Sequence, residues 1–297
     1  MRTHFKKPNL SVNKWQYWYI LPALVFILFV GVYPIITVLQ LSLTSVDAHF
    51  SPNWAGMENY LKVLRDPSFW SATVQTIRYV FLSVSLHLIL GLGLSVLLVH
   101  PYVKMRVRVV ARSLLILPWT VTLVVSSLLG RLALNPEFSV FAVIARSVGI
   151  SWNNAILTHP DIAFWGIVAV NVWNFTPFYM LMILAQLQSI QPSLYEAADV
   201  EGATGFHKFI FITLPELKQI LKFLIVFDVI GTFIQFDLVW LMTNGGPAGS
   251  TEVLATLTYR TAFERFNFNY SAALGICMGV IMLVFSGTTL LSGREDS

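Results

Sequence analysis

The chain has 297 residues, of which 56% are hydrophobic and 11% charged, with a formal net charge of +4 and a mean hydropathy of +0.69. A soluble surface needs about 25% charged residues, so this composition excludes a water-soluble globular protein and makes lipid the solvent for much of the chain. The small net charge argues against nucleic-acid binding; a single cysteine, Cys277, excludes an intramolecular disulfide, and no Cys/His spacing suits a metal.

In chain order, residues 1–16 form a basic tail carrying Arg2, Lys6, Lys7 and Lys14. The apolar run that follows, Ile20–Leu43, is too long for a signal-peptide core and lacks a small-residue cleavage site, so it reads as a retained first span. About 20 apolar residues cross the hydrocarbon core. Five further stretches qualify: Tyr79–Val99, Ser113–Gly130, Ile162–Gln186, Phe223–Met242 and Ala272–Leu291. The expected fold is an all-α integral membrane protein of six spans, occupying residues 17–293 between the basic tail and a short tail at 294–297. Twelve of the 19 Lys and Arg fall in the tails, the second loop and the fourth loop, and seven fall on the other side. The positive-inside rule puts both termini and the 187–222 loop in the cytoplasm.

Some span residues are polar enough to need a reason. His87, alone in the second span, reads as a packed or hydrogen-bonded helix-interface residue. The fourth span contains Asn174, Phe175, Pro177 and Phe178. An amide beside aromatic faces suits a sugar, whose hydroxyls and C–H faces need both, and ordinary aromatic packing is the alternative. In the fifth span Asp228, Thr232 and Gln235 fall at i, i+4 and i+7, on one helix face. Such a stripe lines a cavity or glues helices together. Asp237, nearer the outer end, reads as interfacial.

The loop "IQPSLYEAADVEGATGFHKF" between the fourth and fifth spans is longer than a connector requires. Pro192 and Ser193 open a helix, and Glu196 lies three residues after Ser193, the spacing of a capping box. Gly202 and Gly205 end or bend it. A second helix starts near Phe206, and Pro215 is expected to open the next long helix. A short helix with Ala197 and Ala198 on one side and carboxylates on the other suits insertion into a partner's groove.

These residues carry a resemblance. Glu196-Ala197-Ala198, Gly202, Ile212, Leu214 and Pro215 resemble, with every spacing kept, the EAA signature of ABC-importer permeases. Glu201 stands where the carbohydrate branch usually has Asp, and the charge is kept. "LPWTVTLVVSSLLGRLALNPEF", "VWNFTPFYMLMILAQLQSIQPSLYEAA" and "LMTNGGPAGST" are similar to further segments, so the likeness covers nearly the whole chain. The last is typical of the maltose-type first permease of carbohydrate importers. The resemblance implies a type I importer permease fold with a cytoplasmic coupling helix in a loop at about 187–216. Glu196, Ala197, Ala198, Glu201, Gly202 and Pro215 would then serve ATPase coupling, with Glu196 pairing with an ATPase cation. It further implies that Asn174, Phe175, Phe178, Asp228, Gly231, Thr232 and Gln235 contact a sugar or sugar derivative. Several of these differ in type from the maltose permease, so the expected substrate differs from maltose.

The implied partners are a second homologous permease, two ATPase copies and an extracytoplasmic solute-binding protein, in a bacterial inner membrane. No Gly-Lys pair occurs, so the phosphate-cradling G-x-x-x-x-G-K-[ST] loop is missing. The expected chain is a non-catalytic subunit without a cofactor of its own, ATP and Mg²⁺ being held by the ATPase. The competing function is a stand-alone secondary transporter or channel for a small polar solute. It would need its own coupling-ion site or a symmetric repeat, and residues 1–150 and 151–297 show no inverted repeat.

Overall fold

The computed structural model of the chain describes residues 16–46, 52–100, 102–137 and 156–291, with positions 139, 143, 144 and 147 between them. The basic tail up to residue 15 and residues 292–297 lie outside the described residues. The first span comprises α1 (Gln16–Ile27), a wider π turn at Leu28–Val32, and α2 (Tyr33–Ser42). A two-stranded antiparallel ribbon follows, β1 (Thr44–Val46) on β2 (Pro52–Trp54), with Ser45 opposite Asn53. Then come α3 (Glu58–Arg65), α4 (Pro67–Val99), α5 (Met105–Thr120), α6 (Leu123–Ala133) and α7 (Pro160–Ser189). The remainder is α8 (Pro192–Val200), α9 (Gly205–Lys208), α10 (Leu214–Phe233), α11 (Asp237–Thr243), α12 (Leu254–Phe263) and α13 (Phe268–Leu291).

Among the described residues four helices are long and apolar enough to cross a membrane unaided. Two bent pairs, α5 with α6 and α10 with α11, bring the number to six. The third and fifth spans are therefore not the straight rods expected at Ser113–Gly130 and Phe223–Met242. The first pair bends by 101° and the second by 47°. The second span is longer than its apolar run. Asp66 accepts a hydrogen bond from Ser68 N–H (2.8 Å) and Pro67 pre-sets the first turn, so α4 starts twelve residues before Tyr79.

Proline shapes two helices in the same way. Five-residue π turns end two positions before Pro34 and two before Pro215, at Leu28–Val32 and Phe209–Thr213. A proline lacks the N–H for the i−4 carbonyl and its ring crowds that carbonyl, and a wider turn relieves both. Pro215 stands within the first two positions of α10, as expected, but the chain does not break before it. The helix opens at Gly205 and runs on through the π turn into α10.

The α4–α7 crossing is the centre of the bundle. A Cβ on Gly91 would come within 2.4 Å of Tyr179 Cβ, so only glycine admits this approach. One turn on, Ser95 Oγ lies 2.8 Å from Met180 O. Phe69, Val80 and Val84 of α4 pack with Val229 and Phe233 of α10, Leu254 and Leu257 of α12, and Leu274 of α13. Tyr179 and Ile183 of α7 pack with Leu217 and Leu224 of α10. The first span is different: residues 18–40 are exposed throughout. Only its far end is held, where Asn59 and Asn269 donate to the carbonyls of Ser42 and Leu41 at 2.9 and 3.0 Å.

Candidate functional site

Two places concentrate the polar chemistry. The first is α8, which stands clear of the bundle with none of its residues buried. Its start differs from expectation. Pro192 takes the first helical position, Gln191 becomes the N-cap, and no side chain caps the helix, so the Ser193–Glu196 capping box does not form. Its end is as the glycine implied. Gly202 adopts φ +76°, its N–H bonds to Asp199 O (3.0 Å), and Ala203 N–H bonds to Ala198 O (2.9 Å). This paired arrangement at a left-handed glycine closes the helix's last carbonyls. Gly205 opens α9 behind Thr204, whose hydroxyl accepts from His207 N–H.

Glu196, Ala197, Glu201 and Gly202 are exposed and Ala198 is half-buried, so the small-residue side and both carboxylates are open to a partner. Two side-chain contacts tie α8 to the following helix. Tyr195 OH lies 2.9 Å from Thr213 Oγ1, and Lys208 pairs with Asp199. The exposure of Val200, Phe206 and Phe211 was not expected from sequence: they are 91%, 70% and 71% exposed around this loop. Their density of exposed apolar residues in an otherwise charged loop was the available signal. Pro215 is exposed on the helix behind.

The second place is mid-bundle. Asp228 is 2% exposed and its carboxylate receives donors from three helices. His87 Nδ1 of α4 lies 2.7 Å from Oδ2, Tyr179 OH of α7 lies 3.0 Å from Oδ2, and Thr232 Oγ1, one turn along α10, lies 2.8 Å from Oδ1. His87 Nε2 faces Asn171 O at 3.4 Å. Each ring nitrogen of His87 therefore faces an oxygen of a neighbouring helix. Gln235 lies past the end of α10, in the break at 234–236, and so leaves the helix face it was expected to share with Asp228 and Thr232. Its Oε1 still accepts from Tyr79 OH (2.6 Å) and Asn171 Nδ2 (2.8 Å).

Asn174 serves the other break. Its Nδ2 lies 2.8 Å from Pro118 O and 2.8 Å from Ser126 Oγ, and 3.4 Å from Val121 O. Where α5 turns into α6 those carbonyls leave the helical ladder, and an unsatisfied carbonyl in hydrocarbon is costly. The amide meets that need.

Asp228, Thr232, Gln235 and Asn174 are all buried; the first three are linked through His87 and Asn171, while Asn174 is held at the α5–α6 break. Phe175 and Phe178 are half-buried beside them and Gly231 is exposed. Phe178 stacks on Trp119 of α5 (5.4 Å, 25°) and contacts Phe227 of α10 (5.7 Å), which stacks on Phe223 (5.9 Å). Trp119, Phe227 and Phe223 are 40–52% exposed. One turn from Phe227, a Cβ on Gly231 would meet nothing within 4 Å. The open face is therefore a row of aromatic rings across three helices with a gap at Gly231, backed by a buried polar layer. Trp119, Tyr79, Asn171, Tyr179 and Phe227 were not named from sequence. Their partners are distant in sequence, and only the Ser83, His87, Gly91, Ser95 spacing along α4 hinted at a close helix crossing.

The fold is a bundle of up to six spans with an exposed helix between the fourth and the fifth. The chain belongs to the family described as "Binding-protein-dependent transport system inner membrane component", which it matches over residues 68–292. It is 35% identical over 286 residues to the trehalose/maltose transport system permease protein of Thermococcus litoralis, covering 95% of this chain and 94% of that one. It is 31% identical over 301 residues to the lactose transport system permease protein of Rhizobium radiobacter, covering 97% and 96%. In fold it is similar to a chain of a bacterial ABC transporter that imports the acidic polysaccharide alginate, with TM-score 0.84 at 23% identity, covering 95% and 96%.

Proposed function

We propose that the chain is one of two permeases in a carbohydrate ABC importer, driven through α8 by separate ATPase subunits that hold ATP and Mg²⁺. The observation that carries this reading is the exposed helix Pro192–Val200, closed by Gly202 in the left-handed conformation and tied back at Tyr195 and Asp199. Glu196 meets a cation of the ATPase, and Ala197, Ala198 and Gly202 permit close approach. Glu201 borders that contact, and Pro215 keeps the π turn that joins it to the fifth span.

Substrate runs along the aromatic face. Its rings suit the C–H faces of a sugar, and the named relatives include sugar permeases. Phe175, Phe178 and Gly231 border the path; Asp228, Thr232 and Gln235 form the polar layer behind it, and Asn174 holds the α5–α6 break. The first span, exposed over residues 18–40, and the open aromatic face call for a second, homologous permease to cover them. A solute-binding protein delivers the sugar at the end opposite α8, in a cell inner membrane with both termini cytoplasmic. Lipid covers the remaining apolar surface, and no nucleic acid is involved.

The experiment is co-expression with the candidate ATPase. Glu196→Lys and Gly202→Asp should each insert normally, lose co-purification and abolish uptake. Normal assembly and uptake in both variants would sink the coupling role.

A further inference from the structure

We propose that the polar cavity beside Arg131, at the end of the bundle opposite α8, seats a carboxylate side chain of the solute-binding protein. The inference rests on the reading of the chain as a binding-protein-dependent permease. The cavity measures about 550 Å³ and lies between the end of α6 and the end of α11, with Arg131, Asn135, Trp240, Thr243 and Asn244 in its wall. Arg131 is exposed and has no hydrogen bond or ion pair among the described residues. A cation in the last turn of α6 is favourable to that helix, which explains why arginine is tolerated there. It does not explain why the guanidinium is left without a partner in the wall of a polar hollow.

The opposite wall is built to hold its shape. The segment "NGGPAGST", Asn244–Thr251, has Asn244 and Gly245 both left-handed, at φ 52° and 73°. A Cβ on Gly245 would stand 3.0 Å from the Glu252 carboxylate. Thr251 is fully buried; its Oγ1 lies 2.7 Å from Thr243 Oγ1 and 2.7 Å from Gly246 O. Arg260 binds the Glu252 carboxylate and Asn244 O, and its guanidinium lies 5.6 Å over the Trp240 ring. The side chain of Gln75 binds Ser250 O. Arg260 is engaged by both the Glu252 and the Glu264 carboxylates, and none of the three lines the cavity. Arg131 remains as the cavity's uncompensated cation. A guanidinium presents a planar fork of donors that matches a carboxylate, and the preformed wall lets a partner dock without an ordering cost.

The test uses the importer assembled in lipid, titrated with the binding protein that stimulates its ATPase. Arg131→Ala should raise the half-saturating concentration of binding protein about five-fold, the upper range for an exposed charge pair. Arg131→Glu should raise it further and Arg131→Lys least, with the maximal rate unchanged. Added salt should weaken the wild type more steeply than Arg131→Ala. Half-saturation unchanged in both the alanine and glutamate variants would overturn the docking assignment while leaving the permease function standing. A shift confined to the half-saturating sugar concentration, at saturating binding protein, would also overturn it and make the cavity a substrate station. If no binding protein stimulates the wild-type importer, the functional reading fails and the inference falls with it.

Discussion

Replacing Gly91 with alanine tests the central helix crossing. The added Cβ would lie 2.4 Å from Tyr179 Cβ and 3.2 Å from Met180 N. An ordinary carbon contact is about 3.5–4.0 Å, so α4 and α7 must part by roughly 1 Å. Neither side can yield by a rotamer change, because both contacts are at or beside backbone. Overpacking of this kind costs about 1–3 kcal/mol. Parting also stretches the Ser95–Met180 bond (2.8 Å) and moves the Tyr179 hydroxyl off Asp228 (3.0 Å). Each such bond is worth about 1 kcal/mol, so the total is about 3–5 kcal/mol. Alanine's better helix propensity returns about 1 kcal/mol at most. At roughly 2–4 °C per kcal/mol, the melting temperature of the purified protein, followed by fluorescence-detected size exclusion after heating, should fall by about 10 °C. Gly93→Ala is the internal control: nothing lies within 4 Å of its added Cβ, and it should leave the midpoint unchanged or slightly raised. The packing argument is refuted if Gly91→Ala melts within about 2 °C of wild type, or if Gly93→Ala is equally damaging.

Three further outcomes are expected. Gly202→Ala places a Cβ at φ +76° and should cost about 1 kcal/mol of local stability; it should loosen α8, read as faster amide exchange at 198–203, while the spans keep their protection. Asn174→Leu removes the side-chain donor at the α5–α6 break, leaving Pro118 O only its longer bond from Val121 N–H (3.3 Å), and should cost about 1–3 kcal/mol in thermal stability, whereas Asn174→Asp should do no better, since a carboxylate cannot donate. Burial alone would raise the pKa of Asp66, but hydrogen bonds from Tyr270 OH and Ser68 hold it below the ordinary carboxylate value. Its contribution is therefore present above that value and lost as pH falls through the lower, folded pKa; Asp66→Asn should flatten the acid limb of the stability curve.

Much of this protein could be read from its sequence, because the relevant properties belong to single residues or short windows. Apolar runs of span length located the first, second, fourth and sixth crossings. Gly202 announced the left-handed end of α8, since few other residues adopt that conformation without strain. The Glu196–Gly202 stretch marked a short helix standing clear of the bundle between the fourth and fifth spans. What the sequence left open was which partner each polar side chain meets. His87 and Asp228 are 141 positions apart, and Asn174 and Pro118 are 56 apart. A span interior offers no water, so each polar group must find another within the bundle, and only the crossing of α4, α7 and α10 decides which one. The same holds for the bends at 121–122 and 234–236. Both run through apolar sequence and look continuous by hydropathy, yet Asn174 and Gln235 each accompany one of them. Tertiary packing, not local propensity, turned a polar stripe expected along one helix face into a buried layer shared by three helices, with the aromatic rings left on the open side.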